Sequence, residues 1–221
     1  MSLGLSIIGT EEGLMTKPDL LFDGPQGGPL VALAHGAGAP MDSPFLNAFA
    51  RGLGEKGLRV ARFEFPYMRL RRETGRSKPP DREPALREAW LQVISELGGG
   101  EKLVIGGKSM GGRMASLVAD EAGVRGLVCL GYPFHPVGKP DRLRTAHLAA
   151  LRTPTLIVQG TRDAFGTREE IAGYELSPAI RIAWLEDGDH SWKPRASSGR
   201  TERQNLAEGV EAVAGFVSAS L

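Results

Sequence analysis

The sequence is poor in cysteine, has no surplus of charge and has no long apolar run, and each shortage excludes a class of function. Its one cysteine, Cys129, cannot form an internal disulfide or a cysteine-based zinc or iron–sulfur site. Lysine and arginine total 27 against 26 aspartate and glutamate residues, which argues against nucleic-acid binding driven by bulk charge. No run of about 18 apolar residues occurs, so no membrane-spanning helix is predicted.

The start of the chain also lacks the features of a secretory signal. Met1–Thr10 has no basic beginning and only a short apolar run before Glu11 and Glu12. We therefore expect a cytoplasmic protein that needs no metal or other cofactor. A length of 221 residues is enough for one core without disulfides, and we expect a single domain over residues 1–221.

Short apolar runs bounded by glycine or proline recur along the chain, as expected of strands buried on both faces of a parallel sheet. The runs are Leu30–Ala34, Val60–Phe65, Leu103–Ile105, Leu127–Leu130, Thr155–Val158 and Ile180–Leu185, with weaker candidates at Leu5–Ile8 and Leu20–Phe22. Segments with helical spacing of apolar residues alternate with them. This order predicts an α/β fold, a three-layer α/β/α sandwich with a mainly parallel sheet.

Several helix starts are also marked. Ser43 and Pro44 precede an apolar stripe, Pro84 opens another, and capping boxes are predicted at Thr167 and Thr201. Two stretches look irregular, namely residues 66–84 and 131–141.

The segment Gly107-Lys-Ser109-Met-Gly111 fits the G-x-S-x-G pattern between an apolar strand and a helix. A sharp strand-to-helix turn there would lift the Ser109 hydroxyl above the sheet as a nucleophile. One alternative is a glycine-rich turn whose serine only caps the helix. The other, a phosphate-binding loop, requires a glycine where the chain has Lys102.

A serine nucleophile needs a base and an acid that orients the base. Asp163 follows the strand at Thr155–Val158, and His190 follows the strand at Ile180–Leu185. Since parallel strands present their carboxyl ends at one edge of a sheet, we expect Ser109, Asp163 and His190 to converge there. The rival residues are Asp187 and Asp189 as the acid and His135 as the base.

The strand at Leu30–Ala34 runs into His35-Gly-Ala37-Gly38, where an oxyanion-binding loop is expected. We assign one donor to the Ala37 N–H, with Gly38 as the alternative, and the other to the Met110 N–H. His35 is interpreted as a residue that braces this loop.

Together the segments around His35, Ser109, Asp163 and His190 resemble the α/β-hydrolase superfamily over roughly Leu20 to Leu221. More narrowly, the segments HGAGAPMDSPF, RFEFPYM, GGKSMGGRMAS and GYPFHPVGKP resemble a group of small predicted bacterial hydrolases. These are distantly similar to dienelactone hydrolases and to a hydrolase-like domain of eukaryotic chromatin-associated proteins. The resemblance implies a Ser109–His190–Asp163 triad, although dienelactone hydrolases proper carry a cysteine where this chain has Ser109.

Many α/β hydrolases insert a cap after the strand that corresponds here to Leu127–Leu130. The interval that follows is too short for a cap domain, so residues 131–153 are expected to form a small lid with one helix carrying Leu143, Leu148 and Leu151. The predicted substrate contacts are Lys108, Tyr132, Phe134 and His135. The basic stretch at residues 67–83 is interpreted as a solvated loop, or alternatively as a rim that recognises an anion.

These observations predict a metal-independent serine hydrolase that cleaves small carboxylic esters or lactones, with thioesters and short amides as further candidates. Its partner would be a small-molecule substrate, with neither nucleic acid nor membrane involved, while the oligomeric state stays open. The alternative is an interaction module with little or no catalysis on the same scaffold.

Overall fold

A computed structural model describes residues 18–220. Within this range seven strands form one sheet in the order β1-β3-β2-β4-β5-β6-β7. The strands are β1 (Leu20–Asp23), β2 (Leu30–Ala34), β3 (Arg59–Phe63), β4 (Leu103–Lys108), β5 (Gly126–Leu130), β6 (Thr155–Gly160) and β7 (Ile180–Leu185). The candidate strand at Leu5–Ile8 lies outside the described residues.

The sheet is parallel except at one edge, where β1 pairs antiparallel with β3. The central strands β4 and β5 are buried almost throughout, as expected when helices cover both faces. Cys129 lies in β5 with 1% of its surface exposed, and burial raises the pKa of its thiol. The prediction of a mainly parallel α/β sandwich is confirmed.

Helices flank the sheet on both faces. They are α1 (Pro44–Glu55), α2 (Pro66–Thr74), α3 (Glu83–Glu96), α4 (Met110–Val118), α5 (Arg168–Ile171) and α6 (Glu202–Ser220). One apolar cluster joins α3 and α4 to the sheet, and a second joins α1 and α6 to the opposite face. No helix in the described range is long and apolar enough to cross a membrane.

Helices α1 and α5 begin at the residues that the sequence predicts as helix starts. The Ser43 hydroxyl accepts the Leu46 N–H, although at a long 3.5 Å, and Pro44 occupies the first turn of α1. Thr167 and Glu170 form the expected capping box of α5. Local side-chain chemistry was therefore enough to place these helix starts.

Residues 66–84 are more ordered than the sequence suggests. The stretch was expected to be a loop, but Pro66–Thr74 forms helix α2 and Glu83 begins α3. Pro66 fits the first turn, Tyr67 and Met68 bury their side chains, and Gly75 at φ 70° ends the helix. The buried pair anchors a helix whose other residues are largely charged.

The short helix expected in the lid is absent. Residues 131–154 form bends and turns instead. The Leu148 and Leu151 N–H groups close short turns by donating to carbonyls three residues earlier, at Thr145 and Leu148. Leu148 and Leu151 are buried and Leu143 is exposed, so this segment packs down onto the core rather than standing over the sheet edge as a helix.

Candidate active site

Three side chains from distant parts of the sequence meet at the carboxyl edge of the sheet. Ser109 follows β4, Asp163 follows β6 and His190 follows β7. His190 Nε2 lies 2.8 Å from Ser109 Oγ, and His190 Nδ1 lies 2.7 Å from Asp163 Oδ2. An ionised carboxylate only accepts hydrogen bonds, so Nδ1 donates to Asp163 and leaves Nε2 free to accept the Ser109 proton.

Ser109 lies at a strained turn between β4 and α4. Its φ of 52° is unusual for a residue with a side chain, and its N–H donates to the Leu130 carbonyl at 3.0 Å. A Cβ on Gly111 would lie 2.6 Å from the Ala34 carbonyl oxygen, and one on Gly107 would lie 2.3 Å from the same atom. The turn can form only because glycines occupy both positions.

Asp163 is completely buried. Its Oδ1 accepts the Phe165 N–H at 2.9 Å, and its Oδ2 accepts a 3.0 Å hydrogen bond from Gln159 Nε2 in addition to that from His190. These donors satisfy a buried carboxylate and fix its orientation toward the imidazole. A polar glutamine inside the apolar strand β6 is the sequence signal for this support, although the sequence alone assigns Gln159 no role.

The rival residues are engaged elsewhere. Asp187 accepts hydrogen bonds from Arg195 and lies beside Arg162, while Asp189 Oδ1 accepts the Ser191 and Lys193 N–H groups. Neither of the two carboxylates hydrogen-bonds to His190.

His35 lies beneath the loop that follows β2. Its Nε2 accepts the Phe65 N–H at 3.1 Å, so Nδ1 carries the proton and donates to the Gly36 carbonyl at 2.7 Å. Burial lowers the pKa of His35, which keeps the ring neutral in this arrangement. The contacts match a residue that braces the loop.

One candidate oxyanion donor borders the same space as Ser109, and the other begins the helix that follows the serine. Ala37 lines the cavity beside the serine, and Met110 is the first residue of α4. In the hydrogen bonds of the described loops and caps, neither N–H has a backbone acceptor. Tyr67 Oη donates to the Ala37 carbonyl at 2.9 Å, which ties this loop to α2.

Lys108 precedes the serine and lines the same cavity. Its Nζ donates to the His190 carbonyl at 2.6 Å and lies 5.7 Å from the centre of the Phe45 ring. Burial lowers the pKa of Lys108 to about 8, although the Asp163 carboxylate opposes the shift. Lys108 therefore holds the loop of the candidate base as well as bordering the substrate space.

A cavity of about 590 Å³ opens over Ser109. Its walls are mostly small or apolar, and its larger side chains are Phe45, Leu46, Lys108, Phe165, His190 and Glu202. The Phe165 ring also lies against the His190 imidazole with centroids 4.3 Å apart. Phe45 and Phe165 carry no sequence pattern that distinguishes a cavity wall from ordinary packing, so the sequence predicts neither of them as a wall of the site.

Three predicted substrate contacts are placed elsewhere. Tyr132 and Phe134 are fully buried and His135 is 2% exposed, and none of them lines the cavity. Gly131, at φ 70°, turns the chain back after β5, so the two aromatic rings pack into the core. The Nε2 of His135 lies 3.5 Å from Glu170 Oε2, which places this rival base away from Ser109.

The basic stretch has its own ion pairs. Arg72 binds both Asp42 and Glu64, and Lys78 pairs with Asp81. Arg71 lines a separate small depression and does not border the Ser109 cavity. The alternative interpretation of residues 67–83, a rim that recognises an anion beside Ser109, therefore has no support.

A larger depression of about 940 Å³ lies at the opposite edge of the sheet, beside the first residues of β6 and the last turn of α6. It lacks the serine and histidine pairing that marks the smaller cavity.

Among residues 18–220 no group of three or more histidine, cysteine or acidic side chains is arranged to hold a metal.

Comparison with known proteins agrees with this architecture. A family model described as an alpha/beta hydrolase domain matches residues 28–218. Three similar solved structures share the fold. For each of them the first coverage percentage is the share of this chain that is matched, and the second is the share of the other chain. Dienelactone hydrolase from Anabaena variabilis has a TM-score of 0.67, 19% identity and coverage of 92% and 99%. Est1E from Butyrivibrio proteoclasticus, with ferulic acid bound, has a TM-score of 0.66, 15% identity and coverage of 91% and 96%. An alpha-beta serine hydrolase homologue from Coxiella burnetii has a TM-score of 0.63, 19% identity and coverage of 89% of both chains.

The family match covers most of the chain and includes the strands and loops that bring Ser109, Asp163 and His190 together. This chain therefore belongs to the alpha/beta hydrolase domain family.

Proposed function

We propose that this protein is a serine hydrolase that cleaves small carboxylic esters or lactones through an acyl-enzyme. The observation that carries the proposal is the continuous hydrogen-bonded path from Ser109 through His190 to Asp163. Similarity of fold to Est1E with ferulic acid bound and to a dienelactone hydrolase supports the same class of chemistry.

In this mechanism His190 Nε2 takes the Ser109 proton as Oγ attacks the substrate carbonyl. The Met110 and Ala37 N–H groups stabilise the oxyanion of the tetrahedral intermediate, and each such donor typically contributes about 3–4 kcal/mol. His190 then protonates the leaving alcohol, and the acyl group stays on Ser109. Water activated by His190 releases the acid, while Asp163 holds the imidazole in one tautomer throughout.

The cavity supports a small, largely apolar substrate. Its walls are mostly glycine, alanine and aromatic or aliphatic carbon, and Lys108 Nζ is already occupied by the His190 carbonyl. No helix of residues 131–154 stands over it as a lid. These features favour neutral esters and lactones over substrates that need a dedicated charged subsite.

A fluorophosphonate probe tests whether the serine is activated. The wild-type protein should be labelled and the Ser109→Ala variant should not. As a matched control, Ser191→Ala removes a hydroxyl that lines the same cavity without removing the nucleophile, and its labelling should persist. Absence of labelling in the wild type, with the protein folded, would support the interaction-module alternative.

The acid is tested by three matched substitutions on a chromogenic ester. Asp163→Asn should lower kcat by about 10⁴-fold, because the neutral amide can favour the wrong imidazole tautomer. Asp187→Asn and Asp189→Asn remove carboxylates of the neighbouring loop that do not contact His190, and each should retain most of the activity. Near wild-type turnover by Asp163→Asn would refute the assignment.

A further inference from the structure

Lys108 connects the last residue of β4 to the loop that carries the candidate base. Its Nζ donates to the His190 carbonyl at 2.6 Å, although the two residues are 82 positions apart in the sequence. A hydrogen bond from a charged donor is shorter and stronger than one between neutral groups. The Lys108 ammonium therefore fixes the backbone of the same residue whose side chain contacts Ser109.

The ammonium also lies close to the imidazole ring. Gly131 turns the chain after β5 with a φ of 70°, and both groups stand beside it. A Cβ on Gly131 would lie 3.0 Å from Lys108 Nζ and 3.4 Å from His190 Nδ1. Because the residue there is glycine, no side chain separates the ammonium from the ring nitrogen that bonds to Asp163.

The other charged groups around His190 are anions. Asp163 accepts the Nδ1–H at 2.7 Å, Asp189 precedes the histidine and acts electrostatically on Lys108, and Glu202 lines the cavity over the serine. Nearby carboxylates favour the protonated form of an imidazole, and a nearby cation disfavours it. Among the described residues that line the cavity, Lys108 is the single lysine or arginine, so it is the cation that opposes these carboxylates.

Lys108 keeps its charge in the pH range where a histidine titrates. Burial lowers the pKa of Lys108 to about 8, and the charges of Asp163 and Asp189 limit that shift. An unperturbed histidine titrates near pH 6.5. Across the acidic range the ammonium is therefore present as a positive charge beside the ring.

We propose that Lys108 is a positioning residue that acts through His190 in two ways. Its ammonium holds the His190 backbone, and its positive charge disfavours protonation of the imidazole, so that His190 stays a base at lower pH. Two like charges about 6 Å apart in a partly buried site interact strongly enough to move a titration by about one pH unit. The catalytic role rests on the proposed hydrolase function, whereas the coupling between the two side chains does not.

The catalytic experiment measures kcat/KM for 4-nitrophenyl acetate between about pH 4 and pH 8, where the acidic limb reports loss of the essential base. Lys108→Met keeps the length of the side chain and removes its charge, so the acidic limb should move to higher pH by about one unit. Lys108→Arg keeps the charge and should leave the limb near its wild-type position. Lys102→Met, the same change immediately before β4, should have the wild-type profile.

The position of the limb distinguishes this role from a structural one. If Lys108 only held the loop, Lys108→Met would lower kcat/KM at every pH and leave the acidic limb in place, which would overturn the proposal. An equal shift of the limb in Lys108→Arg would overturn it too, because the charge is kept there. Lys108→Gln, which is uncharged but polar, should show the same shift as Lys108→Met and replaces it if that variant does not fold.

The coupling is also measured without catalysis. The chain has four histidines, and His190→Gln assigns the His190 ring signals in ¹H–¹³C spectra. The midpoint of the His190 titration should lie about one pH unit higher in Lys108→Met than in the wild type.

The outcomes separate the two proposals. If esters are hydrolysed and neither the acidic limb nor the His190 midpoint moves in the uncharged variants, the role of Lys108 is refuted and the hydrolase stands. If no ester is hydrolysed and Ser109 is not labelled, the hydrolase function is refuted. The His190 titration then decides alone whether the Lys108 charge acts on the imidazole.

Discussion

Gln159 is a single side chain that connects three segments behind the candidate acid. Its Oε1 accepts the Tyr132 N–H at 2.8 Å, while Nε2 donates to Asp163 Oδ2 at 3.0 Å and to the Gly166 carbonyl at 3.2 Å. The residue is completely buried, so water cannot replace these contacts. Gln159 is therefore a positioning residue that acts through Asp163.

Replacing Gln159 by leucine should lower kcat/KM about tenfold or more and reduce the melting temperature, because several buried polar groups lose their partner at about 1–3 kcal/mol each. Gln159→Glu keeps one acceptor but places a second carboxyl beside Asp163. Like charges raise carboxyl pKa values, so the acidic limb of its kcat/KM profile should move to higher pH. Steady-state rates across the pH range and thermal melts measure both effects.

Gln92→Leu makes the same chemical change on α3 and serves as the control. A purely structural role for Gln159 would lower stability in both of its variants and leave the acidic limb of Gln159→Glu where it is in the wild type. That result would contradict the positioning role.

The residues proposed to do chemistry were easier to find in the sequence than those that support them. Ser109, Asp163 and His190 each follow a recognisable apolar strand, and parallel topology places strand ends at one edge. The contact of Gln159 with Tyr132 and that of Lys108 with His190 depend on groups that meet across long sequence separations. No local pattern encodes such meetings.

The helix α2 supports the candidate oxyanion loop although its sequence looks like a solvated loop. Tyr67 is 1% exposed and reaches from α2 to the Ala37 carbonyl, and its own N–H donates to Asp81 Oδ2 at 2.8 Å. The sequence does not predict this helix, because arginines interrupt its apolar pattern and only Tyr67 and Met68 bury their side chains.

Tyr67→Phe should lower kcat by about three- to tenfold with little change in KM, since a displaced oxyanion donor weakens stabilisation mainly in the transition state. The variant removes one hydroxyl and keeps the ring, so the fold should persist. Tyr174→Phe is the matched control and should keep the wild-type kcat. A change of KM alone in Tyr67→Phe would show that the loop contributes to ground-state binding instead.

The loop between β7 and α6 carries its own pH-dependent clamp. Asp187 accepts the Arg195 N–H at 2.6 Å and its Nε–H at 2.8 Å. The Arg195 guanidinium lowers the pKa of Asp187 to about 2. In the unfolded chain an aspartate titrates near 3.9, so this contact adds stability above about pH 4 and loses it as the pH falls through about 2.

Thermal melts of wild type and Asp187→Asn between about pH 2 and pH 6 should show this clamp. The wild type should melt at the higher temperature near neutral pH, and the difference should shrink below about pH 4. Asp141→Asn, at an exposed turn, should show no such trend. A difference between wild type and Asp187→Asn that stays constant over the whole range would refute the linkage.

At the scale of the whole molecule, the sheet edge farthest from His190 depends on a buried charge. Arg62 on β3 is 2% exposed. Its guanidinium donates to Asp23 Oδ2 on β1 at 2.7 Å, to the Met41 carbonyl at 2.7 Å and to Asn47 Oδ1 at 2.6 Å. One side chain thus joins the antiparallel edge strand to α1 and to the loop before it.

Arg62 is buried and its guanidinium bonds to Asp23. We therefore expect substitutions of Asp23 and of Arg62 to be coupled in their effects on the free energy of unfolding. Asp23→Ala leaves the guanidinium buried with less compensation and should lower the free energy of unfolding by about 2–3 kcal/mol, below the value for a fully buried pair because Asp23 is 26% exposed. Arg62→Leu should cost a similar amount.

The double variant should cost clearly less than the sum of the two, since it removes both charges together. Urea unfolding of the four proteins gives the coupling energy. Asp23→Ala should hydrolyse esters at the wild-type rate well below its melting temperature, because Asp23 ends β1 at the edge of the sheet and does not line the Ser109 cavity. Additive losses would instead mean that the Met41 and Asn47 contacts alone hold Arg62 in place.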